Sequence, residues 1–376
     1  MTKFSGKPQI LKEVNSSMIE QLVFENGPIS KPELAKRTGL SLPTINKLVD
    51  DMEKEERLSS IGRKGKGAGR KAMLYETNRN SGCLLTCYYN EGSLLCRLTD
   101  MLNNTLYEKS FSLDSGSRKK ALKSTCQAID YLMEQAPAQV KIIGIGLPGV
   151  VQPNGNLLAI PQIAVWEDFN LERALRAKYD ADIYVENNVK LSAMGYFCTH
   201  LQEDHDNLVY LYVGNGIGSG IIINRQLFRG SGNFSGEVAF MTEPSAKIKA
   251  SSGEGYMEAL MGSLIDYNTG ELKHNQPQKL KELITILSTI AINHVVVVNP
   301  GVIVLAGKIF DKRMVQALSR RIARYLPGQA MPRITCDLSA SMGLEGLIRS
   351  CRGYITTGIH LVQSTGLPQR IERMAV

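Results

Sequence analysis

The first eighty residues place apolar side chains at the spacing of short amphipathic helices. Residues 18–25 put Ile19, Leu22 and Val23 on one face, and Gly27 follows as a helix ending. This pattern predicts a first helix over residues 18–25.

A second helix is predicted after a capping box. Ser30 can accept a hydrogen bond from the backbone N–H of Glu33, and the Glu33 side chain can reach back to the backbone of Ser30. Pro32 falls in the first turn, where its missing N–H does no harm, and Gly39 is expected to end the helix in a left-handed conformation.

A third helix is predicted over residues 41–56, with Ser41 as its N-cap. Its apolar residues recur at i, i+3, i+4 and i+7, so one face is buried. Two helices joined by a short glycine-containing turn form a helix-turn-helix, whose second helix reads bases in the major groove of DNA. The residues of this helix expected to face DNA are Ser41, Thr44, Asn46 and Lys47.

Two short strands, residues 58–61 and 73–75, follow this helix and enclose a basic tip. The intervening residues 62–71 hold five basic side chains and no acidic one. The arrangement predicts a winged helix-turn-helix whose wing lies along phosphates or in the minor groove. For the tip taken alone, a disordered charged loop is the alternative. The basic residues assigned to the wing are Arg63, Lys64, Lys66, Arg70 and Lys71.

Beyond residue 80 the pattern changes to apolar runs of strand length separated by longer helical segments. This alternation predicts an α/β protein with two sheet-containing lobes. Strands are predicted at residues 82–89, 93–98, 140–146, 183–185, 208–213, 220–223 and 302–305, with a helix at 117–136.

Composition and charge add to this picture. No apolar run reaches 18 residues and the N-terminal segment has no apolar signal core, so a cytoplasmic protein without a membrane span is expected. The seven cysteines include no Cys-x-x-Cys pair, which argues against disulfides and thiol-bound zinc. The first 80 residues carry 15 Lys and Arg against 10 Asp and Glu, so +5 of the net charge of +8 lies there, which suits a polyanion partner.

A glycine-rich segment, residues 214–220, lies between two predicted strands. Exposed backbone amides in such a turn can hold a phosphate. No Gly-Lys-Ser/Thr follows, so the segment is not a Walker motif. From its glycine content alone, a plain tight hairpin is the simpler interpretation.

The order of seven motifs resembles the ROK family, which groups repressors, open reading frames and sugar kinases. The resemblance covers essentially the whole chain and includes the N-terminal winged helix of the repressor branch. It implies an actin-like, hexokinase-like pair of α/β lobes with a sugar in the cleft. The motifs are Ile145-Gly-Leu-Pro-Gly-Val150, Val185-Glu-Asn-Asn188, Val213-Gly-Asn-Gly-Ile-Gly-Ser-Gly220, Leu227-Phe-Arg-Gly230, Gly236-Glu-Val-Ala-Phe-Met241, Gly255-Tyr-Met-Glu258 and Asn299-Pro-Gly-Val-Ile-Val-Leu-Ala-Gly307.

This organisation predicts four segments along the chain. They are a winged helix-turn-helix at residues 1–80, a first lobe at 81–190, a second lobe at 191–345, and C-terminal helices at 346–376 that return to the first lobe.

The chain departs from the family's kinases at the catalytic positions. The kinases carry Glu-Asn-Asp, whose aspartate accepts the proton of the attacking sugar hydroxyl. Asn188 stands there instead, and an amide cannot act as that base. Residues 86–90 place bulky side chains where the kinases have the phosphate loop Asp-x-Gly-Gly-Thr, Asn215 replaces a loop threonine, and residues 306–308 retain one glycine of three. The domain is therefore expected to be catalytically inactive. Its vestigial phosphate-binding residues are Gly214, Asn215 and Gly216.

The resemblance also implies which ligands remain. Phe240 stands where many members have a zinc-binding histidine, and residues 247–256 lack the matching cysteines, so neither zinc nor another cofactor is expected. Carboxylates accept charge-assisted hydrogen bonds from sugar hydroxyls. Phe240 can stack on a sugar or narrow the pocket. An alternative is that the glutamates are inherited without a role. The predicted sugar-binding residues are Asn187, Asn188, Glu237 and Glu258.

These features together predict a sugar-responsive transcriptional regulator, expected to be a repressor. Its predicted partners are double-stranded operator DNA, a sugar or sugar derivative, and a second copy in a homodimer or a dimer of dimers, with no membrane partner. Two alternatives stay open. One is an active sugar kinase with an unusual base, and the other is a DNA-binding protein whose second domain only dimerises.

Overall fold

The computed structural model contains an N-terminal domain followed by two α/β lobes. It describes residues 8–64, 72–90, 92–201, 205–242, 255–267, 269–273, 276–339 and 341–357.

The N-terminal domain consists of three helices and a three-stranded antiparallel sheet of order β1-β3-β2. The first helix begins ten residues before its predicted start at residue 18, and the ion pair of Lys12 with Asp51, at 2.8 Å, ties this added part to the third helix. The elements are α1 Pro8–Asn26, β1 Ile29–Ser30, α2 Lys31–Thr38, α3 Leu42–Lys54, β2 Leu58–Lys64 and β3 Ala72–Thr77.

The predicted helix caps are largely confirmed. Ser30 Oγ accepts from the N–H of Glu33, and Ser41 Oγ accepts from the N–H of Thr44. Gly39 ends α2 at φ 72°, a left-handed value that glycine adopts without strain. One half of the capping box was wrong, because the carboxylate of Glu33 binds Arg37 Nε at 2.8 Å, one turn along the helix.

The core of the N-terminal domain is the apolar face that the sequence predicted. Ile19, Leu34 and Ile45 are fully buried together. The rest of the predicted face of α3 is buried as well, namely Leu48, Val49 and Met52. This packing fixes the outward face of α3, which carries the polar residues.

The first lobe is built on a five-stranded mixed sheet of order β10-β7-β4-β5-β6. Its β6, an edge strand, was not predicted, because most of its side chains are exposed and its apolar residues show no alternation. The elements of this lobe are β4 Cys83–Asn90, β5 Ser93–Asp100, β6 Thr105–Ser112, α4 Arg118–Glu134, β7 Val140–Leu147, β8 Val150–Val151, β9 Leu157–Leu158, α5 Leu171–Arg176 and β10 Asp182–Asn187.

The second lobe has a five-stranded sheet of order β13-β12-β11-β14-β15. Gly214 pairs with Gly216 across a turn at Asn215, so the glycine-rich segment is a tight hairpin. The remaining elements are α6 Asn188–His200, β11 Leu208–Gly214, β12 Gly216–Ile223, β13 Gln226–Leu227, α7 Tyr256–Leu264, α8 Pro277–Val298, β14 Val302–Ala306, α9 Lys312–Ile322, β15 Arg333–Asp337 and α10 Met342–Thr357. The predicted fold class, a winged helix-turn-helix before a two-lobed α/β domain, is confirmed.

The helices α6 and α10 pack closely between the two sheets. A Cβ at Gly195 of α6 would lie 2.0 Å from the carbonyl oxygen of Met342, and one at Gly346 of α10 would lie 1.8 Å from that of Leu191, so both helices need glycine at their crossing. The helix α10 also packs on β4 and β7 of the first lobe. The predicted lobe boundary after residue 190 falls inside α6.

One described helix, α8, is long and apolar enough to cross a membrane by length and composition. Its inward residues Leu283, Leu287 and Ile290 are buried in the core of the second lobe. This burial accounts for the apolar composition of its inner face.

Candidate functional site

The outward face of α3 presents polar side chains to solvent. Ser41, Asn46 and Lys47 are exposed, and Thr44 is half-buried. The hydroxyls of Ser41 and Thr44 lie 2.8 Å apart and are engaged at the helix cap. Asn46 and Lys47 are therefore the predicted readers that project outward, while Ser41 and Thr44 hold the start of the helix in place.

Lys31 fixes this helix to the neighbouring sheet, a role that the sequence analysis missed. Its ammonium pairs with Asp50 of α3 and lies 5.0 Å from the centre of the Tyr75 ring on β3. The ion pair and the cation–π contact join α2, α3 and the wing sheet at one point. The orientation of α3 relative to the wing is set here.

The two strands of the wing pair as predicted, with one irregularity. The register of β2 against β3 shifts between Ser60 and Arg63, and Gly62 has φ 104°, which favours glycine. Arg63 and Lys64 form the end of β2. Three of the predicted wing residues lie outside the described residues, namely Lys66, Arg70 and Lys71.

A cleft between the two lobes brings together all the residues predicted to bind a sugar. Both lobes line it, and its walls include the hairpin turn at Asn215 and the 3-10 helix Val238–Phe240. The predicted residues in its lining are Asn187, Asn188, Glu237, Glu258, Asn215 and Gly216.

Asn187 holds the cleft wall together at the point where β10 becomes α6. Its Oδ1 accepts from the N–H groups of Val189 and Lys190 at 2.9 and 3.0 Å, and its Nδ2 donates to the carbonyl of Gly149 at 2.8 Å. The oxygen therefore caps α6, and one amide hydrogen is engaged in the first lobe. Asn188, the first residue of α6, is more exposed and lines the same wall.

Glu237 is balanced by a lysine that the sequence analysis did not single out. Lys190 is 1% exposed in its side chain, and its Nζ lies 3.4 Å from Glu237 Oε1 and donates to the carbonyl of Asn233. Burial raises the pKa of Glu237 above its ordinary value, while the charge of Lys190 opposes that shift. A buried cation behind the carboxylate favours its charged form, the better acceptor for hydroxyls.

Glu258 and Gln162 both approach the backbone of the hairpin at Gly216. A Cβ at Gly216 would lie 2.7 Å from Glu258 Oε1, so a larger residue there would displace this carboxylate. Gln162 Nε2 donates to the carbonyl of Asn215 at 2.7 Å, which links the first lobe to the hairpin of the second. Gln162 lies outside every motif of the chain, so sequence alone could not identify it.

A second charged pair crosses between the lobes beside the cleft. Arg229 Nε donates to Glu186 Oε2 at 2.8 Å, and its guanidinium also reaches the hydroxyl of Tyr184 at 3.3 Å. Glu186 is 4% exposed, so its charge is compensated by a residue of the opposite lobe. Arg229 lies in one of the recognised motifs, but the sequence did not reveal its partner.

Two tyrosines, of which Tyr212 lines the cleft, pack closely on glycines of the two sheets. A Cβ at Gly214 would lie 2.0 Å from the hydroxyl of Tyr212, and one at Gly146 would lie 2.7 Å from the ring of Tyr88. The hydroxyl of Tyr88 also lies against Gly343 at the start of α10. At each of these glycines, a tyrosine side chain therefore occupies the place that a Cβ would take.

Phe240 lies at the rim of the cleft beside a second phenylalanine. The ring centres of Phe234 and Phe240 are 5.1 Å apart, and both side chains are exposed. Such a pair offers apolar ring faces on which a sugar ring can stack. Within the described part of the chain, no cluster of three His, Cys, Asp or Glu side chains could hold a metal ion.

Comparison with known proteins agrees with this architecture. Residues 93–254 match the ROK family, and residues 21–58 match a winged helix-turn-helix DNA-binding family. A putative xylose repressor of Caldicellulosiruptor is 28% identical over 63% of this chain and 60% of its own length. The xylose repressor of Bacillus subtilis is also 28% identical, over 65% of this chain and 64% of its own. The chain thus spans less than two thirds of these curated relatives.

Solved structures show the same fold. A ROK family transcriptional regulator, a homologue of the MLC protein of Escherichia coli, superposes with a TM-score of 0.76 at 18% identity, over 93% of this chain and 99% of that one. The ROK hexokinase of Thermus thermophilus superposes with a TM-score of 0.59 at 19% identity, over 73% of this chain and 99% of its own.

The fold and the two sites define a DNA-binding domain joined to a two-lobed sugar-kinase-like domain. The part that resembles the ROK family, residues 93–254, follows the part that resembles a winged helix-turn-helix, residues 21–58.

Proposed function

We propose that this protein is a transcriptional repressor whose DNA binding responds to a sugar. One observation carries the proposal. A capped helix of the helix-turn-helix precedes a cleft lined by two glutamates suited to hydroxyls, while Tyr212 packs on Gly214 of the predicted phosphate hairpin. Relatives named xylose repressor and N-acetylglucosamine repressor support the same function.

The DNA contact is assigned to α3 and the wing. Asn46 and Lys47 project outward, and side chains near the start of a recognition helix reach base edges. The basic residues of the wing supply contacts to phosphates, which carry affinity rather than sequence preference. Operator DNA with two half-sites suits a homodimer or a dimer of dimers, acting in the cytoplasm.

The effector is assigned to the cleft as a sugar or a sugar derivative. Glu237 immediately precedes the 3-10 helix Val238–Phe240 and Glu258 lies in α7, and both line the cleft with Asn188. Two carboxylates and an amide can accept from several hydroxyls of one ring, which discriminates strongly between sugars. The rings of Phe240 and Phe234 offer an apolar face beside them.

We assign no kinase activity to the cleft. Asn188 stands at the position of the catalytic base, and the Tyr212 hydroxyl covers Gly214 of the predicted phosphate hairpin. Phosphoryl transfer depends on positioning and charge stabilisation of the phosphates, and neither is available on covered glycines. A sugar therefore acts here as a signal: it changes DNA affinity by binding one conformation of the lobes better than another.

The test combines selection of DNA with a panel of sugars. Duplexes are selected from a random pool by the full-length protein, and the dissociation constant of the best duplex is measured at about 0.15 M salt, where polyanion binding is partly screened. The measurement is repeated with D-xylose, D-glucose, N-acetyl-D-glucosamine and their phosphates. We expect one of them to change the dissociation constant by about 5–150-fold.

Matched variants separate the parts of the proposal. Lys47→Ala is expected to weaken binding of the selected duplex by about 1–3 kcal/mol, whereas Lys54→Ala, at the far end of the same helix, serves as the control. Failure to enrich any duplex would contradict the DNA-binding function. A selected duplex whose binding no sugar changes would favour a second domain that only dimerises.

A further inference from the structure

The helix α10 contacts both the cleft helix α6 and the N-terminal domain. Its crossing with α6 is closed by Gly195 and Gly346, each of which faces backbone of the other helix. Its later turns pack on α1 of the winged helix-turn-helix. One helix therefore joins the element capped by Asn187 at the cleft to the domain that carries α3.

Arg352 stands at the centre of this junction and is 6% exposed. Its guanidinium carbon lies 4.5 Å from the centre of the Phe24 ring on α1. Its Nη1 donates to the carbonyl of Met101, next to the end of β5, at 2.6 Å, and its Nη2 lies 3.5 Å from Thr77 Oγ1 at the end of β3. A single side chain thus binds the first helix, the last wing strand and the first lobe.

The segment between the two domains is short and is tied on both sides. Residues 78–82 are all that separates β3 from β4. The N–H of Asn78 donates to the carbonyl of Arg57 at 3.0 Å, and Arg79 pairs with Asp100 at 2.9 Å. The first contact holds the segment to the N-terminal domain, and the second holds it to the first lobe. The segment therefore has little conformational freedom.

Burying an arginine at this position costs desolvation free energy. A guanidinium that leaves water must recover its solvation through charged or hydrogen-bonding partners, which an apolar side chain would not need. Its planar fork gains directed bonds that allow one arrangement of the joined elements. The contacts of Arg352 therefore fix the orientation of the N-terminal domain relative to the first lobe, and this matters more than the surface that the side chain buries.

We propose that Arg352 is a positioning residue that fixes the winged helix-turn-helix to α10 and the first lobe, so that a sugar-driven shift of α6 and α10 is transmitted to DNA. The inference rests on the proposed function. The DNA-binding domain would then follow α10 as one rigid body. If the domain were flexibly tethered instead, sugar binding in the cleft would not change its orientation or its affinity for DNA.

The experiment compares full-length Arg352→Met and Arg352→Lys with the wild type. Arg349→Met, on the same helix, is the matched control, because the junction contacts are made by Arg352. Amide hydrogen exchange is followed in α1, β4 and β7, and the dissociation constant of the duplex selected by the wild type is measured with and without D-xylose, D-glucose and N-acetyl-D-glucosamine.

In Arg352→Met we expect exchange in α1 to accelerate about tenfold or more, while β4 and β7 keep their protection. The sugar-induced change in the dissociation constant should fall toward one, although the sugar still binds with its wild-type affinity. Arg352→Lys should show smaller losses, in both the protection of α1 and the sugar response, than Arg352→Met. An ammonium keeps the cation–π contact with Phe24 but not the two directed hydrogen bonds of the guanidinium. Arg349→Met should behave as the wild type.

Unchanged exchange in α1 together with an unchanged sugar response would overturn the inference. If Arg352→Met loses protection in β4 and β7 as well, the same measurements are made on Phe24→Leu, which removes the ring partner of Arg352 and leaves the first lobe intact. Faster exchange in α1 with a reduced sugar response in Phe24→Leu would support the inference, and wild-type behaviour would overturn it. Wild-type protein that enriches no duplex would refute the proposed function, and the exchange data would still report whether Arg352 fixes the domain.

Discussion

The two sides of the cleft differ in what their side chains do to the backbone. On the hydroxyl side, Glu258 approaches Gly216, and both Glu258 and Asn188 line the cleft. At the predicted phosphate hairpin, the Tyr212 hydroxyl occupies the place that a Cβ at Gly214 would take. A sugar is held by side-chain acceptors, whereas a phosphate needs backbone N–H groups with free space in front of them, so bulky side chains packed on a glycine loop act against the phosphate alone.

Under the proposed function, this difference separates binding from catalysis within one fold. The lobes, their sheets and the crossing of α6 with α10 need no change for it, because the difference lies in side chains such as Asn188 and Tyr212. Acceptors without a catalytic base suit a protein whose output is ligand binding itself, which is what a regulator requires.

The largest expected effect concerns the charge pair behind the hydroxyl side. Replacing Lys190 with Met leaves the buried carboxylate of Glu237 without its cation. Breaking a buried pair from one side costs about 3–5 kcal/mol, so the free energy of unfolding should fall by that amount. Chemical denaturation monitored by circular dichroism measures this loss.

Two further variants test the reason for that loss. The double variant Lys190→Met with Glu237→Gln should recover most of the stability, because no uncompensated charge remains. Lys178→Met, which breaks an exposed pair with Asp130, should change the free energy of unfolding by less than about 1 kcal/mol. A double variant as unstable as Lys190→Met would mean that lysine packing, not charge, is responsible.

The next effect is on sugar affinity. Glu258→Gln keeps the shape of the side chain that faces Gly216 but removes its charge. Hydrogen bonds to charged groups contribute about 1.5–3 kcal/mol, so the sugar that binds best should bind about 10–100-fold more weakly, as measured by titration calorimetry. Glu172→Gln, in a surface pair with Arg176, is the control. Equal affinity in wild type and Glu258→Gln would remove Glu258 from the binding site.

A smaller effect is expected from pH. Burial raises the pKa of Glu237, so its carboxylate takes up a proton at a higher pH than an exposed glutamate does. Affinity for the sugar should therefore fall as the pH is lowered through this raised pKa. The folded state binds this proton more tightly than the unfolded state, so the group's contribution to stability changes in the opposite direction, decreasing as the pH rises.

Titration calorimetry from about pH 7 down to about pH 5, a range that ends above the ordinary pKa of glutamate, measures the effect on affinity. Glu237→Gln has no proton to gain at this position, so its profile should be flatter. A wild-type profile as flat as that of Glu237→Gln would mean that the charge of Glu237 takes no part in binding.

Sequence alone predicted the parts of the molecule that follow local rules. The caps at Ser30, Gly39 and Ser41 and the buried face of α3 depend on a few neighbouring residues, and all were found. The edge strand β6 was missed because its exposed residues carry no periodic pattern. The predicted start of α1 was too far along the chain, because its first turns are held by a contact with α3 that local sequence does not reveal.

The partners across the cleft could not be predicted in the same way. Lys190 and Glu237 are 47 residues apart, and Arg229 and Glu186 are 43 apart. Nothing in the spacing of such residues indicates that they meet, because the meeting depends on how two lobes pack. The motifs identified the glutamates, and the structure supplied the cations that balance them.

The smallest expected effect is on kinase activity, and it tests the difference between the two sides of the cleft most directly. Asn188→Asp restores a carboxylate at the position where the kinases have their base. If the base were the only element missing, this change would produce ATP-dependent sugar phosphorylation in a coupled assay, with a ROK hexokinase as the positive control. We expect no measurable turnover, because residues 86–90 still stand in place of the first phosphate loop and Tyr212 still packs on Gly214, and positioning dominates phosphoryl transfer. Turnover in Asn188→Asp would mean that the two sides of the cleft have not diverged, and that a single amide separates this protein from a kinase.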